Sequence, residues 1–113
     1  AAFHLDRGRR LFDQGSNIDA ITELRRALYL SPYEAEAHLL LGGIYLRTGQ
    51  TPAAIDAFKI ALWSQESAGG QVALARAYLQ NSDQARARAA LERALVLDPA
   101  SVDAKELLTT LKP

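Results

Sequence analysis

The first residues to test for chemistry in this 113-residue chain are its two histidines, His4 and His38. A metal site needs three or four His, Cys or carboxylate ligands at short, defined spacing. His4 and His38 stand 34 residues apart, and the chain has no cysteine. No metal is expected. Nucleophilic catalysis fares no better, because Ser, His and Asp are scattered and no strand pattern leads into a glycine-rich turn. Gly42-Gly43 falls inside a helical pattern and Gly69-Gly70 at a helix start, and neither pair has the lysine or the spacing of a phosphate loop. No catalytic residue and no cofactor are expected.

Charge excludes two further classes. Arg7, Arg9 and Arg10 form one basic cluster, and Arg86, Arg88 and Arg93 another. Each is interleaved with acids (Asp6 and Asp13; Asp83 and Glu92), and neither has aromatic residues placed to stack on bases. Such runs are solvated helix faces with partners at i, i+4, such as Asp6 and Arg10. With 13 basic and 13 acidic residues the formal net charge is zero, so no overall field draws the chain to nucleic acid or an anionic membrane. The longest apolar runs, around Leu39 to Leu41, are far short of the ~20 residues that span a bilayer. Apolar residues make up 49%, enough to build a core and to argue against disorder. Lack of cysteine excludes disulfides but leaves the compartment open. The chain opens on Ala1 within a helical pattern, which reads as a segment of a longer protein or a processed N-terminus. Ten arginines against three lysines hint at a GC-rich, bacterial coding bias.

The elements that hold these residues emerge from an internal repeat. Aligning Ala1, Ala35 and Ala68, separations of 34 and 33, brings three segments into register. His4, His38 and Gln71 match; so do Gly8, Gly42 and Ala75, and then Leu11, Tyr45 and Tyr78. In the second halves Ala20, Ala54 and Ala87 match, followed by Leu24, Phe58 and Leu91, and by Ala27, Ala61 and Ala94. Small residues recur where two antiparallel helices must approach closely, and large ones fill the space between them. Apolar spacings of three and four, as in Leu41, Ile44 and Tyr45, argue helix. Gly15 and Gly49 suit the left-handed residue that ends a helix. Thr51-Pro52 reads as an N-cap and first-turn proline, and Ser31-Pro32-Tyr33-Glu34 as a capping box. Helices are expected near 2–14, 17–30, 34–47, 51–63, 68–80 and 84–97. A seventh follows in the tail, with the apolar stripe Val102, Leu107, Leu108 and Leu111. Gly69-Gly70 predicts a weakened helix start and altered stacking or a hinge at residues 64–70.

This pattern of a large residue, Leu-Gly, Tyr, Ala, an aromatic, Ala and Pro resembles the tetratricopeptide repeat family over Ala1 to Ser101. The central copy fits best. Its departures are His4, His38 and Gln71 in place of tryptophan, Arg7 in place of leucine, and a missing proline at the end of the second copy. The resemblance implies an all-α, right-handed superhelical array of helix–turn–helix repeats with seven helices. Repeats would occupy 1–34, 35–67 and 68–101, with a C-terminal capping helix at 102–113, one domain overall.

It also implies a non-catalytic scaffold, adaptor or chaperone-like module whose first helices line a concave groove for a partner protein's peptide or helix. The groove residues so implied are Leu5, Phe12, Leu39, Leu40, Gly43, Leu46, Val72 and Leu79 for apolar contact, with Arg9, Arg47 and Arg76 for carboxylates or carbonyls. Packing is not expected to require Leu39, Leu40, Leu46, Val72 or Leu79, and Gly43 would let a ligand backbone approach. The family's clamp for acidic heat-shock chaperone tails is absent, since Leu5, Arg9, Leu40, Gly69 and Ala73 occupy its positions. The alternative is self-association through the terminal faces, with Arg7 and Arg10 at one end and the Leu107 to Leu111 stripe at the other.

Overall fold

The computed structural model describes residues 2–111. Its order is α1 (Ala2–Asp13), α2 (Asn17–Leu30), α3 (Ala35–Arg47), α4 (Thr51–Ser64), α5 (Ala68–Gln80), α6 (Gln84–Leu97) and α7 (Val102–Thr110). There are no strands among the described residues. Helices pack as successive pairs, α1 with α2, α3 with α4 and α5 with α6, and the first helices α1, α3 and α5 neighbour one another along one side. The result is an elongated all-α repeat array of 43 × 26 × 21 Å.

The small residues explain how the pairs close. A Cβ on Gly42 would stand 2.4 Å from the Phe58 ring, and one on Gly8 would stand 2.6 Å from Leu24. Only a glycine lets those side chains lie against the helix backbone. Opposite them Ala20, Ala54 and Ala87 are fully buried, as are Leu24 and Leu91. Two core clusters result. One holds Ala20, Leu24, Ala37, Leu41 and Ile44; the larger runs from Ala54 and Phe58 through Leu91 to Ala104. Tyr45 packs against both.

The turns follow the repeat, with three corrections. Gly15 and Gly49 have φ of 77° and 79°, as read from sequence, but the third copy places Ser82 there at φ 58°. Hydrogen bonds that close each turn compensate, Gly15, Gly49 and Ser82 each donating to a carbonyl of the preceding helix. Thr51 is not a cap: Gln50 holds that position, and the buried Thr51 hydroxyl donates to Gln80 Oε1 on α5. Ser31 opens no capping box either. It ends α2, Pro32-Tyr33 form a turn, and Glu34 caps α3 by accepting from the Glu36 N–H. Ser67, Asp83 and Ser101 cap α5, α6 and α7 through their side chains.

At the Gly69-Gly70 doublet, α5 is helical from Ala68, and Ser67 accepts from the Gly70 N–H. Gly70 has a packing role, since a Cβ there would lie 2.8 Å from Leu62, whereas a Cβ on Gly69 meets open space. Just upstream, Arg93 donates twice to Glu66, at 2.9 and 2.6 Å, and so ties the linker to α6. In the tail, Leu107, Leu108 and Leu111 pack on the larger core, but Val102 is 63% exposed and leaves the expected stripe. The last two residues of the expected capping segment, Lys112 and Pro113, lie outside the described residues.

Candidate partner-binding groove

The side formed by α1, α3 and α5 divides into two unlike halves. Near α1 its side chains are engaged with one another. Arg9 donates to Glu36 at 2.9 Å and to Asp6 at 3.0 Å, and the Glu36 contact chiefly holds its guanidinium protonated beyond the ordinary arginine range. Arg47 donates to Asn17 Oδ1 and to the Phe12 carbonyl, both at 2.9 Å, with its guanidinium 4.0 Å from the centre of the Phe12 ring. This is a cation–π contact reinforced by hydrogen bonds. The Phe12 ring in turn lies over Gly43, where a Cβ would stand 3.0 Å from it. The bare backbone of Gly43, expected to admit a ligand, admits Phe12.

Beyond Gly43 the groove opens. A cavity of about 500 Å³ lies between α3, α5 and the start of α7. Leu39, Gly43, Leu46, Phe58, Val72 and Ala73 supply its apolar lining, Ala68 and Gly69 one wall, and Arg76, Asp98, Ser101 and Asp103 its polar rim. Of the residues expected from sequence, Leu39, Gly43, Leu46, Val72 and Arg76 therefore meet at one cavity. Leu5, Arg9, Phe12, Leu40, Arg47 and Leu79 do not line it.

The expectation that packing leaves five apolar positions free needs correction. Val72 is buried at 6% exposure in the larger core, against which Leu39, Leu46 and Leu79 also pack. Leu40 packs with Leu5 and Phe12 against the N-terminal core. Each is only partly covered apart from Val72, so the same side chains support the array and present a surface.

Asp98, Ser101 and Asp103 were not legible as groove residues, because the implied groove is lined by the first helices of the repeats and the tail reads as a capping helix. One signal did exist. The caps Glu34, Ser67 and Ser101 recur at 33 and 34 residues, which places Glu36, Gly69 and Asp103 at one repeat position.

Both histidines serve the fold. His4 Nδ1 lies 2.7 Å from the buried Glu23 carboxylate, and His38 Nε2 lies 2.9 Å from the Pro32 carbonyl. The His4 hydrogen bond, aided by Arg7 and Arg26, holds Glu23 below the usual carboxylate range against the opposing effect of burial. No cluster of three His, Cys, Asp or Glu could hold a metal among the described residues, and none of their helices is long and apolar enough to cross a membrane.

A separate surface escaped the sequence reading. Trp63 is 76% exposed, and its ring sits 5.5 Å from that of the exposed Tyr33, beside Pro32, His38, Lys59 and Ile60. Its signal was periodic: Tyr29, Trp63 and Val96 occupy one repeat position, and all three are exposed.

Paired helices closing on glycine and alanine, with a groove along their first members, define a helical-repeat protein. Profiles of the tetratricopeptide repeat match residues 5–70 and 68–111. The chain belongs to the tetratricopeptide repeat family. Among solved structures, the first such domain of Spaghetti (RPAP3), bound to HSP90 peptide SRMEEVD, superposes with a TM-score of 0.91 at 20% identity, covering 96% of this chain and 86% of that one. MamA gives 0.85 at 27% identity, over 89% of this chain and 60% of its own. A chain of the APC/C hetero-tetramer Cut9–Hcn1 gives 0.89 at 26%, over 95% of this chain and 22% of its own. A search of curated proteins found no match.

Proposed function

We propose that this chain is a non-catalytic protein-interaction module that docks a peptide segment or helix of a partner protein in the open half of the groove. The observation that carries this is the cavity of about 500 Å³, with an apolar lining supplied by three helices and a charged rim. Pockets of a few hundred Å³ with apolar walls and a few placed polar groups are the usual form of a binding site. Each apolar side chain that a partner buries there contributes on the order of 1.5–3 kcal/mol before ordering costs. The first domain of Spaghetti, which shares the fold, holds a peptide. The cavity's one hydroxyl, on Ser101, caps α7 by accepting from the Ala104 N–H. No histidine, cysteine or lysine lines the cavity.

Gly69→Trp is the test. A Cβ at Gly69 meets open space at the cavity wall, so the variant should fold and its ring should obstruct the site. Peptides selected from a random dodecapeptide display library on the wild-type chain should bind Gly69→Trp at least tenfold more weakly by fluorescence anisotropy. Equal affinity for a variant with wild-type helicity would remove the groove as the docking site.

A further inference from the structure

Taking that groove as the docking site, we propose that it selects a segment presenting a lysine or arginine beside its apolar side chains, with Asp98 and Asp103 as the carboxylates that receive it. The charges already engaged within the molecule carry this conclusion. Three arginines belong to the first helices on this side, and two are spent. Arg9 is held by Glu36 and Asp6, and Arg47 by Asn17, the Phe12 carbonyl and the Phe12 ring. An incoming carboxylate would have to displace those contacts and would gain little. Only Arg76 reaches the cavity, and it lies 4.0 Å from Asp103, the outer limit of an ion pair.

Two carboxylates therefore face one guanidinium at the rim. Asp103 also stands in the first turn of α7, where it offsets the positive end of that helix. Asp98 has no compensating cation among the described residues. Its Oδ1 accepts the Ala100 N–H, and its second oxygen has no protein donor among them. A lysine ammonium or arginine guanidinium entering beside Asp98 supplies that donor as a charge-assisted hydrogen bond. Both carboxylates are exposed at the rim, so the contact orients the segment while its apolar side chains enter the lining. An acidic segment meets the reverse situation, with two like charges and a single, already shared arginine. Charge here sets which partner is admitted, and the apolar lining sets how tightly it is held.

The experiment is the same random dodecapeptide library, panned on the wild-type chain and on the double variant Asp98→Asn, Asp103→Asn. Asparagine keeps the Oδ1 acceptor that Ala100 uses, and circular dichroism checks the fold. Peptides captured by the wild type should be enriched in Lys and Arg, and should bind the double variant at least tenfold more weakly. Replacing the peptide's basic residue with norleucine should cost the same factor on the wild type and nothing further on the variant. Enrichment in Asp and Glu, or basic peptides that bind both chains equally, would overturn the charge selection and leave the groove standing. Basic peptides that bind Gly69→Trp undiminished would overturn the groove instead. A library that yields no binder would overturn both.

Discussion

The two halves of the groove are built from equivalent repeat positions and end in opposite states. Near α1, the aromatic Phe12 lies on Gly43, Arg47 stacks on Phe12, and Arg9 is clasped by Glu36. Near α7, Val72, Ala73 and Arg76 of α5 border the cavity, and no described side chain covers it as Phe12 covers Gly43. The difference lies in the presence of one large side chain at the end of a first helix. Phe12 reaches back onto the next helix and brings an arginine with it, while Leu46, at the same repeat position, packs against the core and leaves the cavity it lines open. Repeats therefore fix where a surface is, and single non-consensus residues decide whether it is closed or open.

The comparison breaks most readily at Phe12. Phe12→Ala should lower stability by about 2 kcal/mol, since the ring is only half-buried. It should also open the closed half. Gly43→Ala is then informative: alone it should be nearly neutral, because the gain in helix propensity is offset by contact with the ring. In the Phe12→Ala background it should stabilise by about 1 kcal/mol. Chemical denaturation of the four chains measures the cycle, and additive effects would show that Gly43 is not the seat of Phe12.

A smaller effect separates the paired glycines beside the cavity. Gly69→Ala should raise stability by about 0.5 kcal/mol, since its Cβ enters open space. Gly70→Ala should lower it by about 1 kcal/mol, because the new methyl meets Leu62 at 2.8 Å and the capping Ser67 hydroxyl at 2.9 Å. Thermal melts of the two variants should shift in opposite directions; shifts of the same sign would refute the assignment of Gly70 as the packed member.

The subtlest effect lies in acid. Hydrogen bonds from Arg93, then Gln71, hold the Glu66 carboxyl at about 2 instead of the usual 4.5. A depressed carboxylate contributes stability that is complete above pH 4.5 and is lost as the pH falls through about 2. Glu66→Gln should therefore melt at lower temperature than wild type at pH 7, and the gap should close near pH 2. A gap independent of pH would mean that Glu66 acts through packing alone.

Much of the fold was legible because the repeat states it three times. Helix bounds, the left-handed Gly15 and Gly49, and the close contacts at Gly8 and Gly42 all follow from side-chain size and spacing. What escaped was set by contacts far apart in sequence. Thr51 looks like a cap until Gln80, 29 residues on, takes its hydroxyl. Gly43 looks like space for a ligand until Phe12 fills it, and Ser82 takes a left-handed turn that its residue type does not announce. In the groove the apolar residues were legible and the acids were not. Asp98 reaches the cavity from the end of α6 and Asp103 from the first turn of α7, neither of which belongs to the three first helices.

Tyr45 carries one more consequence. Among the described residues it is the one side chain that packs against both core clusters. In a linear array each repeat answers only to its neighbours, so coupling between the ends has to cross α3, where this ring is joined by the Phe12–Gly43, Arg9–Glu36 and Arg47–Asn17 contacts. The cavity draws its lining from α3 onward and none of it from α1 or α2. Fraying of α1 and α2 should therefore leave the cavity lining in place.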